Sequence, residues 1–511
     1  MSKKTTPALM KGRGTNQLFS VLFSPTILLG ITGVGMLVFM ASMWHRFIYI
    51  DDAFFGEQSF WLAKEGVVKT ATLIDFLGSD QRLFSYHKLN IFIGALLIKV
   101  FGWSVNPLRF TTLIFLIGFL WVLYYFFKDN KAWISRDHLI VTVFIILFNP
   151  LIVLYAFTFR PEIWVMFFGF SSYWLLEKSF VNVHAQRILV LSGMLAGLAF
   201  LTHLNGLIFS VAGLMVLVQA KKWKGALIFS VSSGIICLLY FFDLWQEGHF
   251  EMWLYQIKNW PDNNATNYLS DNFFNLFLNI MIKLSEEHQR FFWSDRVWAI
   301  SAFFILALIS NFKYLFRQHT HLMVYVLTLI VTLNVAGSQI AERYLIYFFP
   351  FLAIIIAIDI IRMKDKSAFI RKWLYAVLLI FQLIFVTKMF VGIFQKNNDH
   401  TKINKEMLSG IPDKTALTLV PYTFIFNELE NYNLASFKAF EYYQVSVKHP
   451  LTQQEFFARA ATLNIKYIVV PLKGLKYTDT GLPCLDSGAI DPNEYYTEYD
   501  RNERCAFLVR I

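Results

Sequence analysis

Long apolar runs separated by short polar gaps dominate this chain. Read by length, they predict about eleven helices that span a membrane, at about 25–44, 107–127, 138–156, 162–177, 188–203, 205–220, 225–243, 297–312, 321–337, 345–361 and 373–393. Crossing the hydrocarbon core takes about 20 apolar residues. Several runs are shorter, and only Thr202, His203 and Asn205 divide 188–220, so the boundaries are soft. Three polar segments interrupt the pattern, at about 45–106, 244–296 and 394–511. In the first, DAFFGEQSFWLAKEG has apolar residues at helical spacing and ends at Gly66, which predicts an amphipathic helix along the membrane surface. HKLNIFIGALLIKVFG follows as a second interfacial piece. In the last segment the runs shorten. TALTLV and IKYIVVP read as buried strands, and TQQEFFARAATLN as a helix capped by Thr452.

Composition agrees with a lipid solvent. The chain is 56% hydrophobic and 18% aromatic, with 54 Phe, and only 16% is charged, against about 25% in soluble proteins. A net charge of +11 raises nucleic acid as a partner. The basic residues sit instead in short loops between apolar runs, and the bilayer is the partner they fit. The positive-inside rule then sets orientation. With the N-terminus in the cytoplasm, the inner loops hold Lys3, Lys4, Lys11 and Arg13, then Lys221, Lys222 and Lys224, then Arg362, Lys364, Lys366, Arg371 and Lys372. MSKKTTPALMKGRG reads as a cytoplasmic tail within 1–24, since no cleavage site precedes a short apolar core. An odd number of spans places the C-terminal segment outside, on the face that carries Asp51. The expected fold class is therefore mainly α, polytopic, with a small extracytoplasmic α/β domain at 394–511. Cys484 and Cys505 lie in that domain, where a disulfide and two thiols are equally open readings. Asn264-Ala265-Thr266 is a glycosylation triplet.

The candidate chemistry starts at Asp51 and Asp52 in YIDDAFF, at the mouth of the first span. Ionisable groups at that depth are costly and mark function. One carboxylate at the membrane surface can take the proton of an acceptor hydroxyl. Alternatively, Asp51 and Asp52 hold a divalent cation; no other cofactor is indicated. Arg160 and Glu162 flank Pro161 after the third span, Lys88 precedes the second, His203 ends a span, and Arg343 and Tyr344 precede a late one. Each residue also has a structural reading. The two aspartates can cap a helix, Glu162 can pair with Arg160, His203 can satisfy a neighbouring helix, and Arg343 and Tyr344 can anchor the interface.

The order of these features is informative. An acidic pair follows span one, NPLRFTTLIF opens span two, RPE follows span three, and GLAFLTHLNGL and ERYLIYFFP come later. Over about residues 20–360 the chain resembles the GT-C membrane glycosyltransferases, in the bacterial branch related to protein O-mannosyltransferases and aminoarabinose transferases. The resemblance implies a transmembrane catalytic domain at 25–393 with its outer loop at 45–106. It implies inverting transfer of a hexose or pentose from a polyprenyl-phosphate donor, outside the bacterial inner membrane, to a protein, lipid or glycan acceptor. It places Asp51 as the base or metal-side carboxylate, Asp52 where many relatives carry Glu, Glu162 as the second acid, Lys88 as the family lysine, and Arg343 and Tyr344 at the donor. HKL stands here where relatives often have Lys-Pro-Pro. A transporter or lipid-sugar flippase is the alternative. It predicts paired helix breaks near the midplane, which the sequence lacks.

Overall fold

In the computed structural model, residues 19, 21–130, 135–261, 273–337, 339–363, 369–395, 404–405, 407–408, 410–472, 480–485, 490–491, 493–503 and 505–511 are described. Lys3, Lys4, Lys11, Arg13, Lys364, Lys366 and the Asn264 triplet lie outside them.

Helices run in the order α1 (Pro25–Ser42), α2 (Ile50–Glu65), α3 (Lys88–Phe101), α4 (Val105–Asp129), α5 (Arg136–Leu147), α6 (Pro150–Tyr155), α7 (Glu162–Ser179), α8 (Ala185–Thr202), α9 (Leu207–Gln219) and α10 (Trp223–Leu238). After them come α11 (His249–Asn259), α12 (Phe273–Glu286), α13 (His288–Phe292), α14 (Trp298–Gln318), α15 (Thr320–Ala336), α16 (Phe349–Met363) and α17 (Phe369–Phe394). Among the described residues, six helical stretches are long and apolar enough to cross a membrane: 25–45, 105–129, 185–202, 223–244, 298–318 and 369–394. The chain is a multi-pass membrane protein. The count of eleven is not reproduced, because several apolar runs are broken or short. The run 138–156 splits at Pro150, whose ring removes a backbone donor. The Asn149 side chain caps the new helix by accepting Leu151 N–H at 2.9 Å. The run 205–220 opens with a 3-10 turn, Leu204–Gly206, and α9 keeps only 13 residues.

Helix α8 packs between α7 and α10, α9 packs on α15, and α16 packs on α5. Close approach at α8 rests on Gly193 and Gly197, four residues apart. A Cβ at Gly197 would lie 2.7 Å from the Ser233 carbonyl oxygen of α10. Small residues at this spacing let membrane helices touch backbone to backbone.

Helix α2 ends where expected, at Gly66 in the left-handed conformation (φ 74°). Its surroundings differ from the expectation. Phe55, Gly56, Glu57, Gln58, Ser59 and Phe60 are buried in succession, so the middle of the helix is enclosed on every side. Helix α3 covers one side, and the C-terminal segment covers another, where Phe426 stacks on Trp103 beside Gly56.

That segment carries a five-stranded sheet of β1 (Thr418–Val420), β2 (Leu434–Ser436), β3 (Tyr467–Pro471), β4 (Tyr496–Arg501) and β5 (Cys505–Arg510), in the order β2-β1-β3-β5-β4. Strand β1 is parallel to β2 and β3, and β5 is antiparallel to β3 and β4. Helices α18 (Phe437–Val447) and α19 (Gln453–Thr462) accompany it. Thr452 caps α19 by accepting Glu455 N–H at 3.2 Å. No disulfide joins Cys484 to Cys505.

Candidate functional site

The two adjacent aspartates have opposite surroundings. They open α2, so consecutive side chains leave the helix about 100° apart and cannot share one environment. Asp52 turns inward and is fully buried. Its Oδ2 accepts Arg109 Nη2 at 2.6 Å, Arg109 Nε at 3.1 Å and Tyr49 N–H at 3.0 Å. Its Oδ1 accepts Phe159 N–H at 2.7 Å. The bond to Tyr49 is the helix-capping reading, realised for this residue. Arg109, from the start of α4, also donates to the Phe47 carbonyl. This carboxylate therefore fixes the chain entering α2.

Asp51 points the other way, with its side chain 38% exposed. Arg160 Nη1 contacts Asp51 Oδ2. The same guanidinium holds Glu162 in a fork, Nη2 to Oε1 at 2.6 Å and Nε to Oε2 at 3.0 Å. Glu162 opens α7 and is buried, and Arg343 Nε reaches its Oε1 at 3.6 Å. Arg343 Nη2 donates to Gln339 Oε1 at 2.9 Å. Burial alone would weaken Arg160's hold on its proton, but Asp51 and Glu162 outweigh it and keep the guanidinium well above its usual value. Behind the cluster His203 stacks on His87, with centroids 4.4 Å apart, and meets Tyr344 edge-on at 5.5 Å. Burial, with Arg160 and Arg343 nearby, outweighs Glu162 and pulls His87 down to about 4. His87 is thus a neutral packing surface for the cations around it.

Asp51, Arg160, Glu162, Arg343, Tyr344 and His203 lie together in one cluster. Lys88 does not join them. Its Nζ lies 2.7 Å from both carboxylate oxygens of Asp243 and sits over the Tyr86 ring at 3.7 Å. Asp52 backs the cluster without facing its open side.

That open side is a cleft of about 690 Å³. Asp51, Arg46, Asp295 and Arg296 line its polar side. Phe385, Met389 and Ile393 of α17 form an apolar wall, and Tyr422, Lys438 and Glu441 of the C-terminal segment cover it. Arg46 is spent on the carbonyls of Val153 and Leu154. Arg296 bonds Glu342 at 2.8 Å and keeps 41% of its side chain exposed. Sequence reasoning missed Arg296; its signal is a basic residue in WSDRVW, just outside a predicted span. It also missed Arg109, which stands in the quoted NPLRF motif, and Tyr422, whose hydroxyl donates to buried Glu57 at 3.0 Å.

A divalent ion shared by Asp51 and Asp52 fits this arrangement poorly. It would have to displace Arg109, itself 2% exposed, from Asp52. Among the described residues no group of three His, Cys, Asp or Glu side chains is arranged to hold a metal.

No family model and no curated protein sequence matches the chain. Solved structures do. ArnT from Cupriavidus metallidurans bound to undecaprenyl phosphate is 12% identical, with a TM-score of 0.56 over 96% of this chain and 98% of that one. The Archaeoglobus fulgidus oligosaccharyltransferase in complex with Zn and sulfate is 14% identical, with a TM-score of 0.53 over 91% and 71%. AglB from the same organism, with an inhibitory peptide and a dolichol-phosphate, is 11% identical, with a TM-score of 0.51 over 85% and 69%. The acid pair after the first helix, the chain order and these alignments agree, and the chain has the GT-C fold of these membrane transferases.

Proposed function

We propose that the chain is a membrane glycosyltransferase. It moves a sugar from a polyprenyl-phosphate carrier to an acceptor on the extracytoplasmic face of the bacterial inner membrane, with the N-terminus cytoplasmic and 394–511 outside. The observation that carries this reading is the position of Asp51. It is a partly exposed carboxylate where an apolar wall from α17 meets a polar wall with Arg296. A polyprenyl chain suits the first wall, and its phosphate suits the second. Undecaprenyl phosphate in ArnT and dolichol-phosphate in AglB support such a carrier.

The step follows from the groups present. Asp51 takes the proton of the acceptor hydroxyl as its oxygen attacks the anomeric carbon from the face opposite the phosphate. The bond from that carbon to the phosphate oxygen breaks, its electron pair leaves with polyprenyl phosphate, and configuration inverts. Arg296 stabilises the leaving phosphate. Arg160, fixed by Glu162, holds Asp51 in place, and no step runs through a metal. A positioned general base contributes about 10²–10⁴-fold, and holding both substrates in one cleft supplies much of the rest.

The test is transfer from a panel of polyprenyl-phosphate sugars in liposomes, comparing wild type with Asp51→Asn at equal folding. A fall of about 10²-fold or more supports the assignment. Equal transfer by both proteins removes Asp51 from the chemistry. No transfer by wild type from any donor rejects the enzyme reading and sends the chain to a lipid-translocation assay.

A further inference from the structure

Helix α18 borders two clefts. Phe437, Lys438 and Glu441 line the one that holds Asp51, while Phe440, Tyr442 and Tyr443 line another of about 450 Å³. The remaining walls of the second cleft are the outer loop 74–77, the end of α11 with Tyr255 and Asn259, and Arg459 of α19. We propose that this second cleft binds an oligosaccharide, and that the acceptor of the transfer is itself a glycan whose outlying sugars rest there. The acceptor role rests on the transferase reading above; the binding site does not.

Three observations support it. The first is lining chemistry. Tyr255 is 50% exposed, and Tyr443 is partly buried with Arg459 over its ring at 4.7 Å. Tyrosine faces carry the negative side of the ring quadrupole and attract the C–H faces of pyranose rings. Asn259 and the Asp75–Arg459 pair lie beside them. Planar forks of this kind bond neighbouring hydroxyls. Asp75 and Arg459 neutralise each other, which leaves Lys448 as the remaining lining cation, and the polar groups of the cleft disfavour a lipid tail.

The second observation is strain. Five non-glycine residues among those described have left-handed backbone, and three of them line this cleft: Lys448 (φ 63°) as the C-cap of α18, and Asp75 (φ 55°) and Leu77 (φ 51°) in the outer loop, where no helix end accounts for it. That conformation crowds Cβ against the backbone, most of all for a bulky residue such as Leu77. Strained backbone gathers at ligand sites, where the surrounding structure holds it in place.

The third observation is that the surroundings do hold it. Buried Gln256 accepts Phe84 N–H at 2.8 Å and donates to the carbonyls of Arg82 at 2.8 Å and Leu77 at 3.3 Å. Thr70 closes the loop by donating to Ser79, N–H to carbonyl at 2.8 Å and Oγ1 to Oγ at 3.0 Å. Ser436 N–H donates to the Thr72 carbonyl at 2.8 Å and ties the loop to the sheet. The cleft is formed before its ligand arrives, which lowers the cost of binding. Its size falls within the range of about 300–1,000 Å³ for small-ligand sites.

The experiment uses the full chain in lipid nanodiscs. Binding of di- to tetrasaccharides built from neutral hexoses, N-acetylhexosamines and uronic acids is followed by calorimetry. At least one class is expected to bind. Tyr255→Ala and Tyr443→Ala, on separate elements, and Asp75→Asn should each weaken it about tenfold, the loss of one contact, at unchanged melting temperature. Asp51→Asn should bind as wild type does. In transfer assays the same three variants should raise acceptor KM and leave kcat in place. No binding by any class, or variants that bind like wild type, would overturn the proposal. Binding that depends on Tyr255 and Tyr443 in a protein that transfers no sugar would keep the site and reject its acceptor role.

Discussion

Replacing each of two neighbouring aspartates by asparagine should break two different things. Asp52→Asn keeps the shape but removes the charge that faces Arg109. That guanidinium is 2% exposed and lies 2.6 Å from Oδ2, so solvent does little to replace the lost partner. Breaking a buried ion pair on one side costs about 3–5 kcal/mol. The asparagine amide also cannot accept all four bonds that Asp52 accepts, so at least one buried backbone N–H, from Tyr49 or Phe159, loses its partner. Asp51→Asn is a milder change, because Arg160 keeps Glu162 and the side chain is already 38% exposed. It should cost within about 1 kcal/mol and lower transfer by about 10²-fold or more. Tryptophan fluorescence during unfolding in detergent measures the first quantity, and single-turnover transfer measures the second. Adding Arg109→Gln to Asp52→Asn should recover part of the loss, with a coupling of roughly 1–3 kcal/mol. Wild-type stability in Asp52→Asn, or a larger stability loss in Asp51→Asn, would refute the division of labour proposed for the pair.

Glu57 adds a pH test. Burial pushes its carboxyl above the ordinary 4.5, against the donors Thr72, Trp61 and Tyr422. A raised folded value means the added stability is fully present below about pH 4.5 and is lost as pH rises through the folded value. Contact between α2 and the C-terminal sheet should therefore loosen towards neutral pH, read by limited proteolysis, and Glu57→Gln should flatten that slope. Lys88→Gln should destabilise the outer loops by removing the only cation on Asp243 among the described residues, which keeps the Tyr86 hydroxyl, and change donor KM little; a double-mutant cycle with Asp243→Asn should show coupling of roughly 0.5–3 kcal/mol. Removing divalent cations with EDTA should leave transfer unchanged, and abolished transfer would refute the metal-free step.

What the sequence made legible, and what it did not, follows from range. The apolar runs predicted helices in the right places because burial in lipid acts on each run alone. The strands TALTLV and IKYIVVP appear as β1 and β3, and Thr452 caps its helix, because these are local signals too. The grouping of Asp51 with Glu162 and Arg343 has no local signal and was proposed only through the order of motifs that carries the family resemblance. No local pattern states that residues 109 positions apart will meet, as Asp51 and Arg160 do. Lys88 shows the opposite case. Its place before a helix matched the family, but its partner, Asp243, stands 155 positions away in a run read only as apolar. A lysine that stays charged in a buried place takes the carboxylate that folding brings to it, and that choice is invisible until the fold is known. The same reasoning separates Asp51 from Asp52. Sequence gives them one signature, two carboxylates at a helix start. The turn of the helix gives one of them to Arg109 and the interior, and leaves the other at the cleft. This acidic pair is thus better read as one buried and one cleft-facing carboxylate than as two equivalent bases.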